Sequence, residues 1–434
     1  VTMPPSPADL ARRLLVDCDC PLPVPDGGGD HPALAWRRAG LMAVTGREDG
    51  PALMCPAALT LSADAALLAL AALAPPDALL PPHGALLLGE RARLMGLQRG
   101  GAMSANRSCR LISAADGHFA LNLAREEDRD LLPAWLEADA DGWDGVAREA
   151  RLRPAADLVA RGIEMGLPIA LAAAPAPVPQ PWFRRRGAGP IRAAGGNRPF
   201  VVDLAPLWAG PLAGSLLAML GADVVKVESL ARPDGARLGH AGFFDLLNGG
   251  KRSVALDFRS GEGRAALRRL VARADIVIEG SRPRALAQLG VDADEAVANG
   301  AIWVSITAYG REGAAADRVG FGDDAAVAAG LAQAMAAGWG EPMFAGDAIA
   351  DPLTGLHAAL AAWAAWCRGE AGLIALSLAG TTAHAMGAGI AQGDLLAEWQ
   401  AMAERDGAPL YPPRAPFAPA GALGADTAAV LASC

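Results

Sequence analysis

The sequence predicts an α/β protein: a doubly wound parallel sheet with a second, smaller α+β domain. Three observations predict it. After residue 199, short β-branched runs alternate with helical stretches in the order PFVVDLA, PLAGSLLAMLG, DVVKVE, RSVALDF, EGRAALRRLVARA, DIVIEG and AIWVSITAYG, the rhythm of parallel strands joined by crossover helices. Runs such as Val201-Val202 and Ile276-Val277-Ile278 are apolar on both faces, as strands covered by helices on each side are. Residues 109–123 (CRLISAADGHFALNL) alternate around Asp116-Gly117 like a hairpin, and helical segments follow to about Met165. The first two observations describe a Rossmann-like sheet with its ligand crevice at the carboxyl ends of the strands. The third describes the smaller domain.

Taken in order, residues 1–34 are rich in Pro, Gly and Asp and read as an irregular lead-in. An N-terminal half follows over 35–173, in which residues 63–74 (ADAALLALAALA) form an Ala/Leu helix stopped by Pro75 and Pro76. Residues 174–198 read as a linker, 199–390 as the large domain and 391–434 as a C-terminal tail. The segments AGLMAVTGREDGPALM, from Ala39, and AGLAQAMAAGWGEPMF, from Ala329, share their pattern at an offset of 329 − 39 = 290. Each leads into an Ala/Leu helix. With one residue of slippage Asp351 pairs with Thr60, so the acid of the second copy is absent from the first.

Composition excludes several classes of function. The 434 residues are 52% hydrophobic and 20% charged, a globular balance with enough chain for more than one core. A formal charge of -9 leaves no electrostatic footprint for nucleic acid or an anionic membrane. No apolar run approaches the ~18 residues of a membrane span, and VTMPPSPADLARRLL lacks the pattern of a secretory signal, so a cytoplasmic protein is expected. The six cysteines lack paired CxxC spacing. Cys18-Asp-Cys20 reads as two incidental thiols, and no metal is expected.

Of the 38 basic residues, only Lys226 and Lys251 are lysines. Both fall within one short stretch, where a compact ammonium is harder to replace by a planar guanidinium. Lys251 sits in Asn248-Gly249-Gly250-Lys251-Arg252, a loop before a strand that could hold a phosphate or simply be solvated; Arg237 and Arg282 lie in comparable loops. Gly210 and Gly214, at the first strand-to-helix turn, fit either an anion-binding helix end or tight packing. Asp351-Pro352 reads as an N-cap followed by proline at the first helical position. The same geometry suits a carboxylate nucleophile with amides beside it. His357 and His384 read as packed or surface residues. GxGxxG, GxSxG, GxxxxGK[ST] and HExxH are all missing, so nicotinamide, serine hydrolase, P-loop and zincin chemistries have no anchor.

Residues 200–257 (FVVDLAPLWAGPLAGSLLAMLGADVVKVES, RPDGAR and FFDLLNGGKRSVALDF) resemble the opening of a class III CoA-transferase, the family of formyl-CoA:oxalate and carnitine CoA-transferases. The blocks EGRAALRRLVARADIVIEGSRPRALAQLG, AIWVSITAYGREGAAADRVGFGDD, IADPLTGLHAALAAW and GLIALSLAGTTAHAM follow in family order. The resemblance implies CoA transfer from an acyl-CoA to a carboxylic acid through covalent intermediates on the aspartate of the IAD segment, here Asp351. It implies CoA contacts at Trp208, Ala209, Arg237, Asn248, Gly249, Gly250, Lys251, Gly280, Ser281, Arg282, Gly320 and Phe321, and no metal or redox cofactor. It also implies an interlocked homodimer and small-molecule partners alone.

Three departures accompany the resemblance. Gln288 stands where the family often has arginine, and Gly322 where an acid often follows the aromatic, with Asp323 adjacent. The family's small domain follows its SLLDAAL-like helix, whereas here about 45 residues follow, and residues 101–170 resemble the displaced domain. The chain thus looks like two fused copies, the first without its nucleotide-binding sheet and the second without its small domain. Arg99-Gly100-Gly101 is the candidate for the family's glycine-rich loop. The family also includes α-methylacyl-CoA racemases, but GFGDDAA lacks their histidine; a catalytically silent CoA binder is the alternative of another class.

Overall fold

The computed structural model describes residues 5–25, 29–140, 142–178, 180–192 and 198–433. Three strands, β1 (Cys109–Ser113), β2 (His118–Asn122) and β3 (Ile169–Leu171), form a small antiparallel sheet in the order β1-β2-β3. The expected hairpin about Asp116-Gly117 is its first pair, with Ser113 opposite His118. The remaining strands are β4 (Arg184–Pro190), β5 (Phe200–Asp203), β6 (Asp223–Ser229), β7 (Arg252–Leu256), β8 (Ile276–Glu279), β9 (Ile302–Thr307) and β10 (Glu370–Ser377). They make a seven-stranded sheet ordered β4-β10-β9-β8-β5-β6-β7, parallel except for β4.

From β5 the chain winds outward through β6 and β7, then returns to lay β8, β9 and β10 on the other side. The reversal falls between β5 and β8, and the loops following those strands flank the switch-point crevice. Side-chain alternation explains why both faces are covered. Val201, Ile276, Ile278, Ile302 and Val304 face one core with helices Ala209–Met219 and Ala350–Arg368. Val202, Val225, Val277 and Trp303 face a second core with helix Gly261–Arg273.

Two expected irregular segments carry structure. Within the lead-in, Ser6 caps helix Pro7–Asp17 by accepting from the Asp9 amide, and Leu10, Ala11, Leu14 and Leu15 bury one face of it. Within the linker, residues 184–190 form β4, which closes the β10 edge of the sheet. The arginines of this strand fit an edge, where charged side chains reach solvent. Residues 1–4 and 26–28 of the lead-in, and 179 and 193–197 of the linker, lie outside the described residues.

Helix Leu59–Ala72 of the first half packs directly on helix Ala350–Arg368. At the offset noted above, Gly40 and Gly330 both take left-handed backbone (φ 84° and 102°) after the short helices Pro32–Arg38 and Gly322–Ala328. At the position paired with Asp351, the Thr60 hydroxyl is buried and donates to Pro32 O at 3.3 Å.

Candidate active site

Asp351 lies in the first turn of helix Ala350–Arg368, with Ile349 rather than Asp351 as its N-cap. The helix begins earlier than expected, so the carboxylate is not spent on capping: the Asp351 amide donates to Ala348 O at 2.9 Å. Its side chain, half-buried, turns toward helix Gly322–Ala328 and accepts from the Gly322 amide. Gly322 is required there. A Cβ on it would lie 2.2 Å from Asp351 Oδ2 and 2.5 Å from Ala348 O, so the departure from the family's acidic residue is what lets the two helices close.

Around Asp351 stand three further carboxylates. Asp323 accepts from the Ala348 amide (2.9 Å) and Asn106 Nδ2 (3.2 Å). Asp324 accepts from Tyr309 Oη (2.5 Å), Asn122 Nδ2 (3.2 Å) and the Phe321 amide (2.9 Å). Asp347 is held by both Nε and Nη2 of Arg91, the former at 2.7 Å. Burial pushes Asp351 up to about 7, with the charges of Asp324 and Asp347 adding to the rise and Arg91 opposing it. Burial and Asp347 likewise raise Asp323 to about 7, and burial raises Asp324 to about 6. Carboxylates in a poorly hydrated cluster resist ionisation, and the arginine decides how far.

Asp351 is tied to the sheet crevice by the next helical turn. A Cβ on Gly355 would meet Ala209 O at 2.5 Å, so this helix and helix Ala209–Met219, which follows β5, touch backbone to backbone. Leu207 precedes it with φ 68°, held by its amide donating to Asp234 Oδ1 at 3.0 Å. This strained turn seats Trp208, whose ring lies under Arg91 at 4.5 Å and whose buried Nε1 has no hydrogen-bond partner. Gly280, Ser281 and Arg282 follow β8 across the crevice; Gly280 and Arg282 are exposed, and Ser281 donates to Glu279 through both amide and hydroxyl. Gly320 and Phe321 enter helix Gly322–Ala328 beside Asp351, and a Cβ on Gly320 would collide with Tyr309 and Asp324.

The expected phosphate cations are placed differently. Lys251 is buried, its ammonium donating to Asp203 Oδ2 (2.8 Å), Pro211 O (2.7 Å) and Asn248 Oδ1 (3.2 Å), which uses all three protons. Asn248 is buried with it and donates to Phe244 O. Gly249 lies against Ala418, and Gly250 against Phe417, so the C-terminal tail covers this loop. Arg237 is clamped on Glu228 (Nη2 to Oε2 2.6 Å), reaches Gly421 O at 3.2 Å and stacks on Phe244. These four residues and Arg237 therefore tie strand ends and tail together, with the side chains of Lys251, Asn248 and Arg237 bonded to protein oxygens. Lys226 is also inside, donating to Asp234 (2.9 Å) and Ala205 O (3.0 Å). Both lysines of the chain thus occupy sites where a compact ammonium meets converging oxygens. Gly214 explains why no guanidinium replaces Lys251: a Cβ there would be 3.0 Å from its Nζ. Gly210, against Ala205, serves the same close packing.

His357 is buried, bonded to Leu353 O at 2.8 Å and near Ser62 Oγ, and burial pushes it down to about 3, so it stays neutral. Arg99-Gly100-Gly101 packs on residues 43–50, and Gly101 O accepts from the Phe344 amide. Among the described residues no helix is long and apolar enough to cross a membrane.

Sequence reasoning missed Arg91, Asp347, Tyr309, Asn106 and Asn122. Asp347 had a faint signal, four residues before Asp351 in GDAIAD. Arg91 had none, since 351 − 91 = 260 residues separate it from the aspartate it faces.

Comparison with known proteins places this site in a family. The chain is 38% identical over 181 residues to succinate–glutarate CoA-transferase of Agrobacterium fabrum, covering 38% of this chain and 45% of that one. It is 33% identical over 171 residues to succinyl-CoA–D-citramalate CoA-transferase of Chloroflexus aurantiacus, covering 37% and 42%. Among solved structures, Rv3272 from M. tuberculosis matches at 30% identity and a TM-score of 0.39 over 45% of this chain and 55% of that one. The chain spans about half the length of these relatives. Residues 199–418, just over half of the 434 and including Asp351, match the family model described as CoA-transferase family III. The chain belongs to CoA-transferase family III.

Proposed function

We propose that the protein moves CoA from an acyl-CoA thioester to a carboxylic acid through covalent intermediates on Asp351. The observation that carries this reading is the placement of Asp351: an uncapped carboxylate, in a first helical turn, beside the switch-point crevice of the sheet. Asp351 Oδ attacks the thioester carbonyl, the C–S bond breaks, and CoA thiolate leaves a mixed anhydride. The thiolate then attacks the aspartyl carbonyl, expelling the donor carboxylate and forming an aspartyl-CoA thioester. The acceptor carboxylate attacks that thioester and frees the thiolate again. Attack of the thiolate on the acceptor's acyl carbon releases the new acyl-CoA and restores Asp351. Splitting the transfer in this way replaces one difficult displacement by several easier ones.

The neighbouring residues suit these steps. The Gly322 amide beside the carboxylate can hold oxyanion charge. The unpaired Nε1 of Trp208 is a donor for an acyl or pantetheine oxygen, and exposed Arg282, after β8, is the cation we assign to the CoA phosphates in place of Lys251. Two of the relatives are named for succinate–glutarate and succinyl-CoA–D-citramalate transfer, so dicarboxylic acyl groups head the panel to be tested. The experiment is intact-protein mass spectrometry after mixing with a panel of acyl-CoAs and trapping with hydroxylamine or borohydride. Modification at Asp351, lost in Asp351→Ala, is expected. Binding of CoA with no modification by any acyl-CoA would sink the reading and favour a silent CoA binder.

A further inference from the structure

We propose that Arg91 is a positioning residue of the transfer site, contributed by the half of the chain that lies outside the family match: it holds Asp347, braces Trp208 and sets the charge felt by Asp351. The proposal rests on the transferase reading for its chemical meaning. Arg91 projects from helix Gly84–Met95, whereas the matched region begins at residue 199.

The geometry is that of a wedge. One edge of the guanidinium grips both oxygens of Asp347, and its Cζ lies over the Trp208 ring at 4.5 Å from the centroid, with the Phe243 ring at 6.0 Å. Asp347 is fully buried and the arginine largely so. A planar fork with an aromatic beneath it has one comfortable orientation, and a lysine ammonium cannot reproduce it. Arg91 thereby joins three parts: the turn before Asp351, the turn after β5, and the first half of the chain. The charged groups that act on Asp351 are Asp347 on its own approach, Asp324 from helix Gly322–Ala328 and Arg91 itself; Asp323 shares Arg91 and Asp347 with it, and Asp324 accepts from Tyr309, on whose ring Arg318 lies at 3.5 Å. Against these carboxylates the charge of Arg91 acts on both Asp351 and Asp323, lowering each. A guanidinium that served the fold alone could pair with Asp347 and leave Asp351 indifferent.

The test needs no acyl-CoA. The Asp351 carboxyl is titrated by 13C NMR in protein labelled at the aspartate Cγ, its resonance identified as the one lost in Asp351→Asn. Arg91→Gln is expected to raise the midpoint by a unit or more, Asp347→Asn to lower it, and the double variant to fall between. Where Arg91→Gln alone does not fold, the double variant is compared with Asp347→Asn, a background in which losing the guanidinium leaves no buried carboxylate unpaired. The midpoint should again rise by a unit or more. An unchanged midpoint in both backgrounds overturns the proposal. In the trapping assay, Arg91→Lys is expected to slow adduct formation tenfold or more at saturating acyl-CoA with KM little changed; a normal rate also overturns it. If no acyl-CoA modifies the wild type while the titrations behave as expected, the transferase reading falls alone and Arg91 stands as the charge partner of Asp351.

Discussion

Replacing Asp351 by asparagine should stabilise the protein while abolishing transfer, and the pH dependence of the gain carries the argument. The carboxyl is raised from its ordinary 3.8 to about 7 by burial. Folding therefore disfavours its charged form: no stability is lost to it below pH 4, the cost grows from pH 4 to 7, and it is complete above 7. At about 1.4 kcal/mol per unit, the upper bound is about 4 kcal/mol at pH 8, falling to about 2 kcal/mol at pH 5. For a chain of this size the larger figure corresponds to a rise in melting temperature on the order of 5 °C. Thermal unfolding of wild type and Asp351→Asn at pH 8 and pH 5 measures both. Equal melting temperatures at pH 8, or a gain that does not shrink at pH 5, would refute the claim that this carboxylate is held in a costly environment.

Transfer itself has the opposite dependence, because the nucleophile must be ionised: adduct formation should fall about tenfold per pH unit below about 7 and level off above it, which quenched-flow mass spectrometry can follow. Gly322→Ala pushes a methyl group into Asp351 Oδ2 and Ala348 O. It should cost about 1–3 kcal/mol of stability and slow adduct formation by about 100-fold, since displacements near 1 Å carry that penalty; a wild-type rate would show that the close approach is not needed. Lys251→Met leaves Asp203 buried without its cation. It should cost about 3–5 kcal/mol of stability and leave the CoA affinity of the folded protein unchanged. Arg282→Ala should do the reverse, with stability within about 0.5 kcal/mol of wild type and CoA binding weakened about tenfold, as read by calorimetry.

Local pattern carried much of the fold. β5, β6, β7, β8 and β9 were legible because β-branched runs between helical stretches have few other uses, and a run apolar on both faces has to be a covered strand. The β1-β2 hairpin was legible from alternation around Asp116-Gly117. β4 was not, because RRRGAGP has no apolar alternation and becomes a strand only through the open edge of β10 beside it. The lead-in helix was hidden by the flanking prolines, although Ser6 and Pro7 form a proper start signal.

The site divides in the same way. The sequence by itself determined the family, and through it nominated Asp351 and the loops after β5 and β8 as site candidates, because these depend on residue types at short spacing. Tertiary structure alone decided what the charged residues do. Lys251 reads as a loop cation and is an internal tie; Arg91, for which the sequence offers no reading, acts on the candidate nucleophile from 260 residues away in the chain. Long charged side chains take their role from the partner that meets them when elements pack, and in poorly hydrated surroundings that partner fixes both position and protonation. Short-range pattern cannot say which helix will lie opposite which, so the first half's part in this site became visible only in the fold.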